Sequence, residues 1–99
     1  MRISEQNQKE IKEIILGLLG PETQVYLFGS RVDDQQFGGD IDIMIKTDRP
    51  IEHPAEFSSK TSARISRLCG GRDVDILLSS PNLRAFPIHA IAEQEGIRL

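Results

Sequence analysis

Asp40 and Asp42 stand two residues apart inside an otherwise apolar run, Asp-Ile-Asp-Ile-Met-Ile, ending at Ile45. Aspartate is depleted from strands, and burying a carboxylate is costly unless it is paired or bound to metal. A period of two puts Asp40 and Asp42 on one face of such a strand and Ile41, Ile43 and Ile45 on the other. The two carboxylates then lie roughly 6.5 Å apart along it. Like charges that close oppose one another's ionisation unless a cation intervenes. Magnesium suits the position, because it takes hard oxygen ligands and keeps waters and substrate phosphates around it. A third carboxylate stands in a later apolar run, at Asp75 of Val-Asp-Ile-Leu-Leu. Three carboxylates are enough to hold two ions, which together activate a hydroxyl and stabilise a leaving phosphate. Asp73 is read as bordering that later strand rather than as a ligand.

A second feature precedes the acidic pair. The run Val25 to Phe28 leads directly into Gly29, Ser30 and Arg31. Gly29 lets a phosphate approach its backbone, and Ser30 supplies a hydroxyl donor. Arg31 adds positive charge to a phosphate or pairs with a loop carboxylate. The plainer readings are a simple turn at Gly29-Ser30 and a solvated edge strand at Asp40 and Asp42. Their coincidence within one short stretch favours nucleotide chemistry.

The elements needed to position these residues are legible. Ser4 caps a helix whose Ile11, Ile14, Ile15, Leu18 and Leu19 recur at helical spacing, and Gly20-Pro21 ends it. Val25 to Phe28 is a strand, Asp33 to Gly39 a polar loop, and Asp40 to Ile45 the second strand. Phe57 to Leu68 is a helix with Ala63, Ile65 and Leu68 on its apolar side, stopped by Gly70-Gly71. Val74 to Leu78 is the third strand, and Leu83 to Glu95 a short helix or pair of turns. Ile97 to Leu99 forms a last edge strand. This order predicts an α/β (α+β) fold with a small mixed sheet flanked by helices.

Gly29, Ser30, Asp40, Asp42 and Asp75, in the pattern "GSR…GGDIDI…VDIL", resemble the nucleotidyltransferase superfamily that includes DNA polymerase beta. The resemblance is nearest to its minimal stand-alone members, the MNT proteins, and covers roughly Val25 to Leu78. It implies a polymerase beta-like nucleotidyltransferase fold, with residues 1–99 as a single minimal nucleotidyltransferase domain. It implies that Gly29 and Ser30, with Arg31, hold the triphosphate of ATP or another nucleoside triphosphate. Asp40 and Asp42 would bind two Mg2+ ions, and Asp75 would bind the catalytic ion and help deprotonate the acceptor. The implied reaction moves a nucleoside monophosphate, AMP from ATP, to a hydroxyl and releases pyrophosphate. The implied partner is a HEPN-type helical protein of a toxin-antitoxin system, whose hydroxyl is the acceptor. The alternative is a non-catalytic, antitoxin-like module that masks such a partner. The chain departs from the family in three ways. Val32, Asp33 and Asp34 follow Arg31 where minimal members commonly have Ala-Arg-Gly. Gly39 stands where a Ser or Thr usually precedes the first Asp, and the loop is about one residue short.

Bulk composition narrows the remaining classes. A chain of 99 residues makes one domain with a modest core. It gains core by associating, so a homodimer is a second expected assembly. The net charge of −3 gives no support to nucleic-acid binding. One cysteine, Cys69, excludes an internal disulfide and a cysteine-type zinc cluster, and is read as structural. His53 is read as exposed and His89 as a hydrogen-bonded, partly buried histidine. The polar start, MRISEQNQKE, has no apolar signal region, and no run reaches membrane-spanning length. The expected location is cytoplasmic, with no membrane partner.

Overall fold

The computed structural model describes residues 3–28 and 41–99. Three helices and four strands follow in the order α1 (Glu5–Leu19), β1 (Gln24–Phe28), β2 (Ile41–Lys46), α2 (Pro54–Leu68), β3 (Val74–Ser79), α3 (Pro87–Glu95) and β4 (Ile97–Arg98). The strands form one sheet in the order β3-β2-β1-β4. β1 pairs antiparallel with both β2 and β4, whereas β2 and β3 are parallel and joined through α2. The expected small mixed sheet flanked by helices is therefore present. Among the described residues no helix is long and apolar enough to cross a membrane.

Local chemistry sets the helix ends. The Ser4 hydroxyl accepts the Asn7 amide at 3.0 Å and so caps α1. α2 starts three residues earlier than periodicity indicates, because Pro54 occupies its first turn, where proline costs no hydrogen bond. At its other end the Gly71 amide donates to the Ser66 carbonyl at 2.8 Å. That closing bond requires the residue between cap and donor to turn left-handed, and Gly70 does so at φ 75°. On the surface of α2, Lys60 bonds Glu56 at 2.8 Å. The bond and the lysine's charge lower the Glu56 carboxyl from its ordinary value and raise Lys60.

The sheet has two unlike faces. Val25, Leu27, Ile41, Ile43, Ile45, Val74 and Leu78 are buried together against Ile11 and Ile15 of α1 and Ile65 of α2. Thr61, not Ala63, is the other buried residue of α2, and Ala63 faces solvent. Among the described residues the opposite face is covered by α3, where Ala92 is buried against Tyr26 and Met44, with Phe28 and Leu77 packed alongside. Gly96, just past α3, lies so close to β1 that a Cβ there would meet the Leu27 carbonyl oxygen at 2.7 Å and collide with that of Ala92. Only glycine lets the helix end settle on the strand.

A side chain imitates a strand between two loops. Asn82 accepts the Ile51 amide at 2.9 Å and donates back to the Ile51 carbonyl at 2.8 Å. Both backbone groups of Ile51 are thus satisfied without a ladder, which holds the entry to α2 against the exit from β3.

Candidate functional site

β1 and β2 run antiparallel, so Phe28 at the end of β1 pairs with Asp42 near the start of β2. β2 and β3 run parallel, so Asp42 is also paired with Asp75 near the start of β3. Residues abreast of one another in a sheet share a face. Phe28, Asp42 and Asp75 therefore form a row across three strands, on the face that carries Met44 and Leu77. The Ile41 amide donates to the Asp73 carbonyl at 2.8 Å, which fixes this register at its first residue.

Among the described residues, the cover from α3 is centred further along β2 than this row. Met44, two residues along β2 from Asp42, is fully buried. Beyond it Lys46 reaches Glu93 of α3 at 2.6 Å. Asp42 is half-buried and Asp75 exposed. One end of the face is thus roofed by α3, and the other presents two carboxylates side by side. Like charges directly opposite on neighbouring strands are unfavourable, and a cation between two carboxylates favours their charged forms.

Of the residues singled out in the sequence, the structure brings Asp42 and Asp75 together. Gly29, Ser30, Arg31 and Asp40, with the loop from Asp33 to Gly39, lie outside the described residues. Phe28 and Ile41, which flank that segment, are both at the carboxylate end of the sheet. Among the described residues no group of three or more His, Cys, Asp or Glu is placed to hold a metal. The two described carboxylates fit magnesium in kind, being hard oxygen donors on one face. The third member of the expected set is Asp40.

The other residues behave as structural parts. Asp73 is exposed and precedes β3, so it borders the strand. His53 is exposed and starts α2 without a side-chain cap. His89 is hydrogen-bonded through both ring nitrogens, with Nε2 at 2.9 Å from the Leu78 carbonyl. Burial pushes the Cys69 thiol above its ordinary value; Arg72 pulls it down, and Glu10 pushes it up further. A thiol held protonated is a poor nucleophile.

Met44 occupies the next position after Asp42 on the same face and is apolar, which is the sequence signal that part of this face is covered. A cleft of about 530 Å³ is lined by Leu19, Ile51, His53, Phe57 and Lys60 among others. It lies beyond the far end of β2 and involves neither carboxylate. No family model matches the chain, and no curated protein matches it.

Proposed function

We propose that this protein is a minimal nucleotidyltransferase of the polymerase beta-like fold, moving AMP from ATP to a hydroxyl on a helical protein partner. The observation that carries the reading is the pairing of Asp42 with Asp75 on one face, at the end of the sheet where β1 leads to Gly29 and Ser30. The mixed sheet, with α2 crossing between β2 and β3, supports it further.

In this reading Gly29 admits the triphosphate to the backbone, Ser30 donates to it, and Arg31 adds charge. Asp40, Asp42 and Asp75 would hold two magnesium ions. When bound, those ions lower the acceptor's resistance to deprotonation and offset charge on the leaving group. The acceptor oxygen forms a bond to the α-phosphorus as the bond to the bridging oxygen breaks. Pyrophosphate departs, and Asp75 helps remove the acceptor's proton. Phe28 is the apolar member of this row and packs against the cluster of Tyr26, Met44 and Ala92.

The test is to incubate the protein with ATP labelled at the α-phosphate, magnesium and a HEPN-type helical partner. Label on the partner, lost in Asp42→Asn and in Asp75→Asn, is expected. If Asp42→Asn neutralises the partner as well as the wild type does, transfer is not the means, and the masking module stands instead. Val32, Asp33 and Asp34 after Arg31 are the feature that favours that second reading.

A further inference from the structure

The two edges of the sheet are protected differently. β4 is two residues long and carries Arg98, and short, charged edges make poor templates for another strand. β3 runs six residues, Val-Asp-Ile-Leu-Leu-Ser, rich in strand formers and with one charge. Such an edge invites pairing unless something blocks it.

The direction of its backbone groups follows from the ladder. The Ile41 amide donates to the Asp73 carbonyl at 2.8 Å and the Thr47 amide to the Ser79 carbonyl at 2.9 Å. In the parallel register between them, Asp75 and Leu77 likewise turn their backbone groups toward β2. Val74, Ile76 and Leu78 turn theirs outward. Two of those three outward carbonyls are occupied. Ser62 of α2 donates its hydroxyl to the Val74 carbonyl at 2.6 Å. His89 of α3 reaches the Leu78 carbonyl through Nε2 at 2.9 Å.

The histidine is oriented for this task. The Phe86 amide donates to its Nδ1 at 3.0 Å, so the ring proton sits on Nε2 and is given to Leu78. An incoming strand would place its own amide nitrogen about 2.9 Å from these carbonyls. The hydroxyl and the imidazole stand in those places, one on each side of Ile76, and come from two different helices.

We propose that Ser62 and His89 guard the β3 edge, and that the strand they exclude is β3 of a second copy of this chain. Two copies of β3 pair antiparallel about Ile76 once both carbonyls are free. The test compares wild type with Ser62→Ala/His89→Ala by sedimentation over a range of concentrations, with folding checked by circular dichroism. Freeing two hydrogen-bond positions is expected to tighten self-association about tenfold. His89→Gln retains an amide donor and is expected to sediment as wild type. Adding Ile76→Pro to the double variant removes an outward donor and is expected to restore the wild-type state. A folded double variant that sediments as wild type overturns the proposal, as does His89→Gln associating as strongly as His89→Ala. If the double variant does not fold, the two single variants decide by the same rule. Stronger association of either supports the guard, and wild-type behaviour of both overturns it.

Discussion

Met44 and Asp42 are two residues apart on β2 and share one face of the sheet, yet their surroundings are opposite. Met44 is fully buried beneath Ala92 of α3, beside Tyr26. Asp42 is half-buried and stands between Phe28 and Asp75, beyond the helix's main contact. A strand's period of two decides which face a side chain takes. What that face does is decided by what covers it. Under α3 the face is core, and past it the same alternation yields a pair of acids. Gly96 belongs to this boundary, since its lack of a side chain lets α3 end against Leu27 and Phe28.

The largest expected effect comes from breaking the covered half. Met44→Ala removes a fully buried side chain between sheet and helix and should cost about 2–5 kcal/mol, measured by urea unfolding. Exchange of amide hydrogens in α3 should rise with it. A loss confined to a few tenths of a kcal/mol would mean that α3 is not seated on β2.

The acid-bearing half should respond far less. Asp75 is exposed, so Asp75→Asn should change stability by no more than about 0.5 kcal/mol in urea unfolding. A loss of about 2 kcal/mol or more would show that the Asp75 carboxylate is a structural part of this end of the sheet.

Cys69 gives the smallest effect and extends the contrast to a third site. Burial raises its thiol in the folded protein, so the folded state keeps its proton to higher pH than the unfolded chain. The associated stability is complete below the unfolded thiol's value of about 8.5 and is lost as pH rises through the folded one. Unfolding measured across that alkaline window should show a decline that Cys69→Ser lacks. Alkylation of native Cys69 at mildly alkaline pH should also be slower than that of a free thiol.

Much of this fold is written locally. Ser4 and Gly20 bracket α1, Gly70-Gly71 close α2, and the isoleucines of β2 take the core face that alternation assigns them. What was not legible is what depends on distant partners. Ala63 has the apolarity of a core residue and Thr61 does not, yet Thr61, one turn before Ile65, shares its buried face and Ala63 lies on the other side, so residue type misleads there where spacing does not. The cover over Met44 comes from a helix that begins more than forty residues later in the chain. Asn82 holding Ile51, and Ser62 and His89 on the β3 edge, are single polar residues whose roles exist only in the folded arrangement. For the site, spacing identified Asp42 and Asp75 as candidates, and the parallel register of β2 and β3 makes them neighbours.

The most direct measurement uses Mn2+ as a paramagnetic substitute for Mg2+, with amide resonances followed as the ion is added. Resonances of Phe28, of Ile41 to Ile43 and of Val74 to Ile76 should broaden first. Those of Lys46, Ser79 and the outer face of α2 should stay sharp. The selectivity should vanish in Asp42→Asn/Asp75→Asn. Broadening centred elsewhere, or unchanged in that double variant, would contradict a cation site between Asp42 and Asp75.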